Sequence, residues 1–110
     1  MSQQFNILHA MTVVAAAAIT ANRMTDIDGT VTAAGARGLG LAQRDAAIGE
    51  AVAVTTLGPV PATAGGAFSA KDELEVGAGG KLVVLNTGRP VAYALEDADA
   101  DGDVVQVLLR

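Results

Sequence analysis

One strand–turn–strand pattern occurs twice in the chain, at residues 39–57 and again at residues 91–109. Each copy starts with a short apolar segment, passes through a turn that carries Asp and Gly, and ends where Val recurs at every second residue. Alternation of period two is typical of a strand with one buried face. The chain is therefore predicted to contain two similar β-hairpins that frame its middle. With one extra residue in the second turn, the matched pairs are Ala42 and Ala94, Asp45 and Asp97, Ala46 and Ala98, Gly49 and Gly102, Glu50 and Asp103, Val52 and Val105, and Val54 and Val107.

Glycine divides the rest of the chain into short segments. Thirteen glycines fall between Val- and Leu-rich runs, which favours many short strands over a few long helices. Asp28-Gly29 predicts a tight hairpin turn, because this pair readily takes positive φ angles. The GAGG sequence at 77–80 predicts the turn of a further hairpin, and Pro59 and Pro61 place their segment at a sheet edge.

Two segments have mixed signals. The run Val13–Ile19 is rich in Ala, which favours helix, but its Val residues and the flanking Thr residues favour a strand, and we predict a strand. At 70–74 the sequence allows one turn of helix, with Ser69 as the N-cap.

These patterns predict an all-β fold. We expect a small antiparallel β-barrel or sandwich of about eight to ten short strands. Residues 1–11 would form an N-terminal arm, and residues 12–110 a single β-rich domain of a size that supports one modest core. Two Phe and one Tyr are the only aromatic residues, so the core must consist of Val, Leu, Ile and Ala.

Composition argues against several functions. The formal net charge is −5, without a basic run, which disfavours nucleic acid as a partner. The absence of Cys excludes disulfides and thiol catalysis. The apolar run Thr12–Thr20 is far shorter than the roughly 20 residues that a membrane-spanning helix needs, and no Lys or Arg precedes it as in a signal peptide. We therefore expect no membrane partner.

The acidic segment near the C-terminus resembles half of a calcium-binding loop. Counted from Asp97, loop positions 1, 3, 5 and 6 are filled by acids and Gly102, but position 12, which needs a bidentate Glu, is Leu108. The matching turn around Asp45 lacks the further acids, and strands rather than helices flank both turns. Asp99 and Asp101 are accordingly predicted to be solvent-exposed turn residues, and no metal site is predicted.

No other motif indicates a catalytic or cofactor site. GAGGK at 77–81 fails the spacing of a phosphate-binding loop, because Leu82 follows the Lys. GLGLAQ at 38–43 has Gln43 in place of the third Gly of a dinucleotide fingerprint. His9 is the single His and lies in the arm, where one imidazole cannot form a metal cluster. We predict a protein that is not an enzyme and has no catalytic residues and no cofactor.

Four segments together resemble a known family. They are TVVAAAAITANRM, RGLGLAQRDAAIGEAVAVTTLG, AGGAFSAKDEL and GRPVAYALEDADADGDVVQVLL. In their order and spacing they are similar to the small capsid cement, or head decoration, proteins of tailed bacteriophages, over nearly all of residues 12–110. The resemblance carries no residues with an assigned chemical role.

The resemblance implies a β-rich structural protein of the virion. Such a protein binds the outer surface of the expanded capsid, reinforces contacts between major capsid protein subunits, and forms a homotrimer or, alternatively, a dimer. It would be made in the bacterial host cytoplasm. Phe5, Ile7 and Leu8 give the arm apolar side chains to bury against the capsid or a second subunit. The alternative is a small β-barrel module that binds a glycan or a calcium ion, suggested by the acidic turns.

Overall fold

The computed structural model describes residues 9–109, and its regular structure is almost entirely β. The all-β prediction is confirmed, and eight strands fall within the predicted range. One 3-10 turn, Ala78–Gly80, occupies the predicted GAGG turn between two of them. The strands are β1 His9–Val14, β2 Met24–Thr25, β3 Gly40–Ala42, β4 Ala51–Thr63, β5 Glu73–Val76, β6 Leu82–Val84, β7 Ala92–Ala94 and β8 Val104–Leu109.

All eight strands belong to one open sheet in which neighbouring strands are antiparallel. The order is β2-β3-β4-β8-β7-β5-β6, and β1 also pairs with β4. The thirteen-residue strand β4 joins the two halves of the sheet: its first half pairs with β1 and β3, and its second half with β8. His9 pairs with Leu57 and Leu109 pairs with Gly58. The start of β1 and the end of β8 therefore lie next to each other, opposite two consecutive residues of β4.

Both predicted hairpins are present. Strands β3 and β4 pair through Ala42 and Val54, and β7 and β8 pair through the matched residues Ala94 and Val107. In each copy the turn Gly has a positive φ, +90° at Gly49 and +96° at Gly102, a conformation that side-chain-bearing residues rarely adopt. The two matched turns are therefore built alike.

The duplication extends well beyond the hairpins and includes every strand except β6. Strand β1 pairs with the first half of β4, and in the same way the second half of β4 pairs with β8. Strand β2 pairs with β3, and in the same way β5 pairs with β7. The corresponding pairs are Val13–Val52 with Ala62–Val105, and Thr25–Gly40 with Leu74–Ala92. We call residues 9–57 the first repeat and residues 58–109 the second repeat.

The connections between these strands repeat as well. After β1, the chain forms an isolated bridge between Ile19 and Ala46, and Phe68 and Ala98 form the same bridge in the second repeat. Each connection then turns at a residue with positive φ, Asn22 at +65° and Lys71 at +77°. The left-handed backbone at Lys71 is incompatible with a helical turn at 70–74, so that prediction was wrong.

The predicted strand Val13–Ile19 is also shorter than expected. Strand β1 ends at Val14 because the Asp28-Gly29 turn packs against it: the amide of Ala16 donates to the carbonyl of Gly29 at 3.0 Å. A Cβ on Gly29 would lie 2.0 Å from the Val14 carbonyl oxygen, so only glycine fits there. Residues 9–11, assigned to the arm from the sequence, lie in β1.

The core consists of two clusters, built mainly from Val, Leu, Ile and Ala as predicted, with Met24 and Phe68 in addition. The smaller cluster belongs to the first repeat, and the larger one fills the second repeat and takes in Met24 and Leu41 of the first. Phe68 is the aromatic residue buried in the larger cluster. The smaller cluster contains Val13, Ala15, Ile19, Ala42, Ala46, Val52 and Val54, with Leu39 packed against it.

Candidate functional site

Three carboxylates of the acidic turn, residues 97–103, are engaged by the protein itself. Asp97 accepts a hydrogen bond from the amide of Ala70 at 2.7 Å, and Asp103 accepts from the amide of Asp99 at 2.9 Å. Asp101 pairs with Lys81, with Nζ and Oδ1 separated by 2.9 Å. These contacts fix the turn and link it to the segments on either side.

The matched turn in the first repeat uses the same contacts. Asp45 accepts from the amide of Ala21 at 2.7 Å, as Asp97 does from Ala70. Glu50 accepts from the amide of Ala47 at 2.8 Å, as Asp103 does from residues of its own turn. The acids shared by both turns therefore act as caps for backbone amides.

Asp99 and Asp101 are exposed, as expected for turn residues. Among residues 9–109, no three His, Cys, Asp or Glu side chains lie where they could hold one metal ion. A calcium site needs six to eight oxygen ligands, and the geometry of this turn gives the calcium-module alternative no further support.

Exposed apolar side chains are concentrated in the first repeat. Of the eight large apolar side chains that are exposed within residues 9–109, five lie in this repeat and three in the second. They are Met11, Val14, Ile27, Ile48 and Leu57 in the first repeat, and Val84, Leu95 and Val104 in the second. Three of the first five, Val14, Ile27 and Ile48, are at least 61% exposed.

These three side chains lie around the end of β1, and we call them the apolar tip. The turn that carries Ile27 bonds to Ala16, and the turn that carries Ile48 bonds to Ala15 through the amide of Gly49 at 2.8 Å. Both turns therefore flank Val14 at one end of the first repeat. The acidic turn occupies the equivalent position at the end of the second repeat.

The two repeats also differ in charge. Residues 9–57 contain three basic and four acidic side chains, a net charge of −1, whereas residues 58–109 contain three basic and eight acidic ones, a net charge of −5. Burying charged groups is costly unless they are paired. The first repeat therefore has the surface better suited to a protein contact, and the second the surface better suited to solvent.

A groove of about 480 Å³ opens on the first repeat, next to the start of β1. Its floor includes the buried side chains of Met24, Val91 and Leu109, and its rim includes the half-exposed side chains of Met11 and Leu57. Gly38 and Leu39 line this groove and also a neighbouring depression that ends at Ile27. The polar residues Arg37 and Thr56 also line the larger of the two cavities, which we call the groove.

One wall of the groove is held in place by the second repeat. The amide of Gly35 donates to the carbonyl of Val76 at 2.7 Å, and the amide of Arg89 donates to the carbonyl of Gly35 at 3.3 Å. The buried carboxylate of Glu75 accepts hydrogen bonds from the amides of Asn86 and Gly88, in the segment just before Arg89. The groove thus depends on contacts between residues far apart in the sequence, which is why no sequence pattern indicated it.

The sequence-based contact residues Phe5, Ile7 and Leu8 lie outside the described residues, whose first member is His9. The described chain nevertheless begins at the groove, since Ala10 and Met11 line it. None of residues 9–109 forms a helix long and apolar enough to span a bilayer.

A family model described as phage cement protein matches residues 4–109. The chain belongs to the phage cement protein family. The resemblance seen in the sequence is thus confirmed, and the protein is a structural component of the phage capsid, in a family of structural proteins rather than enzymes.

The fold is similar to that of a solved phage structure, the head fiber gp8.5 N base in bacteriophage phi29. The TM-score is 0.75 with 22% sequence identity, over 94% of this chain and 95% of that one. At this sequence identity, the similarity shows a shared fold only. No curated protein sequence matches the chain.

Proposed function

We propose that this cement protein binds the outer surface of the expanded phage capsid and stabilises contacts between major capsid protein subunits. The observation that carries the proposal is the family match over residues 4–109. The protein would act as a small homo-oligomer, a trimer or alternatively a dimer, after synthesis in the host cytoplasm.

The apolar tip is the surface that we assign to the capsid. Val14, Ile27 and Ile48 are strongly exposed, and burying a side chain of this size contributes about 1.5–3 kcal/mol. Three such contacts are modest for one copy, but a linked oligomer on a repeating lattice multiplies them through effective concentration. The acidic second repeat would then point towards solvent.

The arm would provide the second contact. Phe5, Ile7 and Leu8 are proposed to become buried on assembly, against the capsid or a neighbouring copy of the chain. Such a segment adds affinity at the expense of its own conformational freedom.

Binding to expanded capsids that lack the protein tests the proposal. The purified protein should bind them saturably, at regular lattice positions, and should raise the temperature at which they disassemble. Unexpanded capsids are the matched control, since their subunit contacts differ. Absence of saturable binding to the expanded form would contradict the proposal.

A further inference from the structure

The contact between the two repeats shows how a surface equivalent to the apolar tip is covered. In the second repeat, the amide of Thr63 donates to the carbonyl of Asn22 at 2.8 Å, and the carbonyl of Val76 accepts from the amide of Gly35 at 2.7 Å. Thr63 is 8% exposed and Val76 0%. The first repeat thus covers these two positions of the second and satisfies their backbone groups.

Two residues of the apolar tip occupy the same positions in the first repeat. Val14 is the equivalent of Thr63, and Ile27 is the equivalent of Val76, since each continues the matched strand pairings of its repeat. Val14 is 61% exposed and Ile27 70%. Successive amides of a strand point to opposite sides, and that of Ala15 donates towards the β4 side at 2.9 Å. The Val14 amide therefore faces away from β4, and among residues 9–109 neither it nor the Ile27 carbonyl has a hydrogen-bond partner.

We infer that an exposed backbone segment of the major capsid protein packs on the apolar tip as the first repeat packs on the second. The segment presents a carbonyl to the amide of Val14 and an amide to the carbonyl of Ile27, while its apolar side chains cover the tip. Burial of the tip without these two partners would leave a buried amide and a buried carbonyl unpaired, which is costly. The inference rests on the proposed function and adds the way in which the tip is recognised.

A second copy of the chain is a poorer occupant of the tip. In such a copy, the surface of the first repeat that makes these contacts is already covered by its own second repeat. The equivalent surface of the second repeat has the exposed Glu73 in place of Met24, and burying a carboxylate against an apolar patch is costly. Two tips in contact would oppose the acids Asp26 and Asp28 of both copies. The capsid is the surface that remains, and the chain belongs to a family of capsid proteins.

Proline substitution tests the main-chain contact, because the chain itself shows that this strand edge accepts proline. Pro59 and Pro61 of β4 occupy the positions equivalent to Ala10 and Thr12 of β1. Val14→Pro removes the outward amide and keeps an apolar side chain, so titration of labelled protein onto expanded capsids should show about tenfold weaker binding. The control, Thr12→Pro, removes an outward amide outside the contact and should bind as the native protein does.

Hydrogen exchange on the native protein gives a second measurement that needs no substitution. The Val14 amide should exchange more slowly on expanded capsids than in the free protein, while that of Thr12 should not change. Native binding combined with undiminished binding by Val14→Pro, or with unchanged exchange at Val14, overturns the inference alone. Protection of the Val14 amide already in the free protein would assign the tip to a second copy and overturn it as well. Failure of the native protein to bind expanded capsids would instead contradict the proposed function.

Discussion

The two repeats share a backbone and differ in their surfaces. Both keep the turn Gly, the carboxylate that caps a distant amide, and the buried Val pair, at Gly49, Asp45 and Val54 and at their equivalents Gly102, Asp97 and Val107. The first repeat has a net charge near zero and carries exposed apolar side chains at its end. The second repeat ends in an acidic turn. The fold is thus specified by a few positions that both repeats share, while the surface positions differ, apolar in the first repeat and acidic in the second.

The largest expected effect concerns the difference between the apolar tip of the first repeat and the acidic turn of the second. Replacing Val14 and Ile48 together by Asp should weaken binding to expanded capsids by at least about 100-fold, because two apolar contacts of about 1.5–3 kcal/mol each are lost. Titration of labelled protein onto capsids measures this. The matched variant is Val104→Asp in the second repeat, also exposed, which should bind as the native protein does. Equal weakening by both changes would remove the proposed difference between the repeats.

The next effect tests the likeness of the two cores. Val54 and Val107 are both 0% exposed and occupy equivalent positions. Val54→Ala and Val107→Ala should each lower the free energy of unfolding by about 2 kcal/mol, from lost burial and the remaining cavity. Denaturant unfolding gives both values. A cost in one repeat only would show that the duplicated backbone is not packed equivalently.

A smaller effect is expected at the capping carboxylates. Asp45→Ala and Asp97→Ala should each cost about 1 kcal/mol, since each leaves one backbone amide without its acceptor. Asn at either position keeps an acceptor oxygen and should restore part of the loss. Asp99→Ala, at an exposed turn position, should change stability by less than about 0.5 kcal/mol. If Asp99→Ala proved as costly as Asp97→Ala, the acidic turn would have a role beyond capping.

The smallest effect concerns the Asp28-Gly29 turn of the first repeat. The hydroxyl of Thr30 donates to Asp28 at 2.6 Å, and this bond, with that from the Thr30 amide, lowers the pKa of Asp28. The ionised form is thus favoured in the folded state, so its contribution is present at neutral pH and lost as the pH falls through the folded-state pKa. Carboxyl titration by NMR should show Thr30→Val raising this pKa towards its ordinary value; no change would rule out the hydroxyl as the cause.

Local patterns in the sequence were sufficient for the fold class and for both hairpins, because period-two Val and turn Gly act through neighbouring residues. The full duplication has little signal in the sequence because the equivalent segments 12–25 and 61–74 share mainly small residues, with Ile19 replaced by Phe68. The end of β1 at Val14 was not predicted, since it depends on the approach of Gly29. The groove was out of reach for the same reason: Met11, Leu57 and Leu109 meet only in the folded chain.

A reconstruction of expanded capsids decorated with this protein tests the central claim most directly. The account predicts density in which the end of the first repeat, with Val14 and Ile48, is buried against the major capsid protein and the acidic turn at 97–103 faces solvent. Density with the acidic turn against the capsid and the apolar tip in solvent would contradict it.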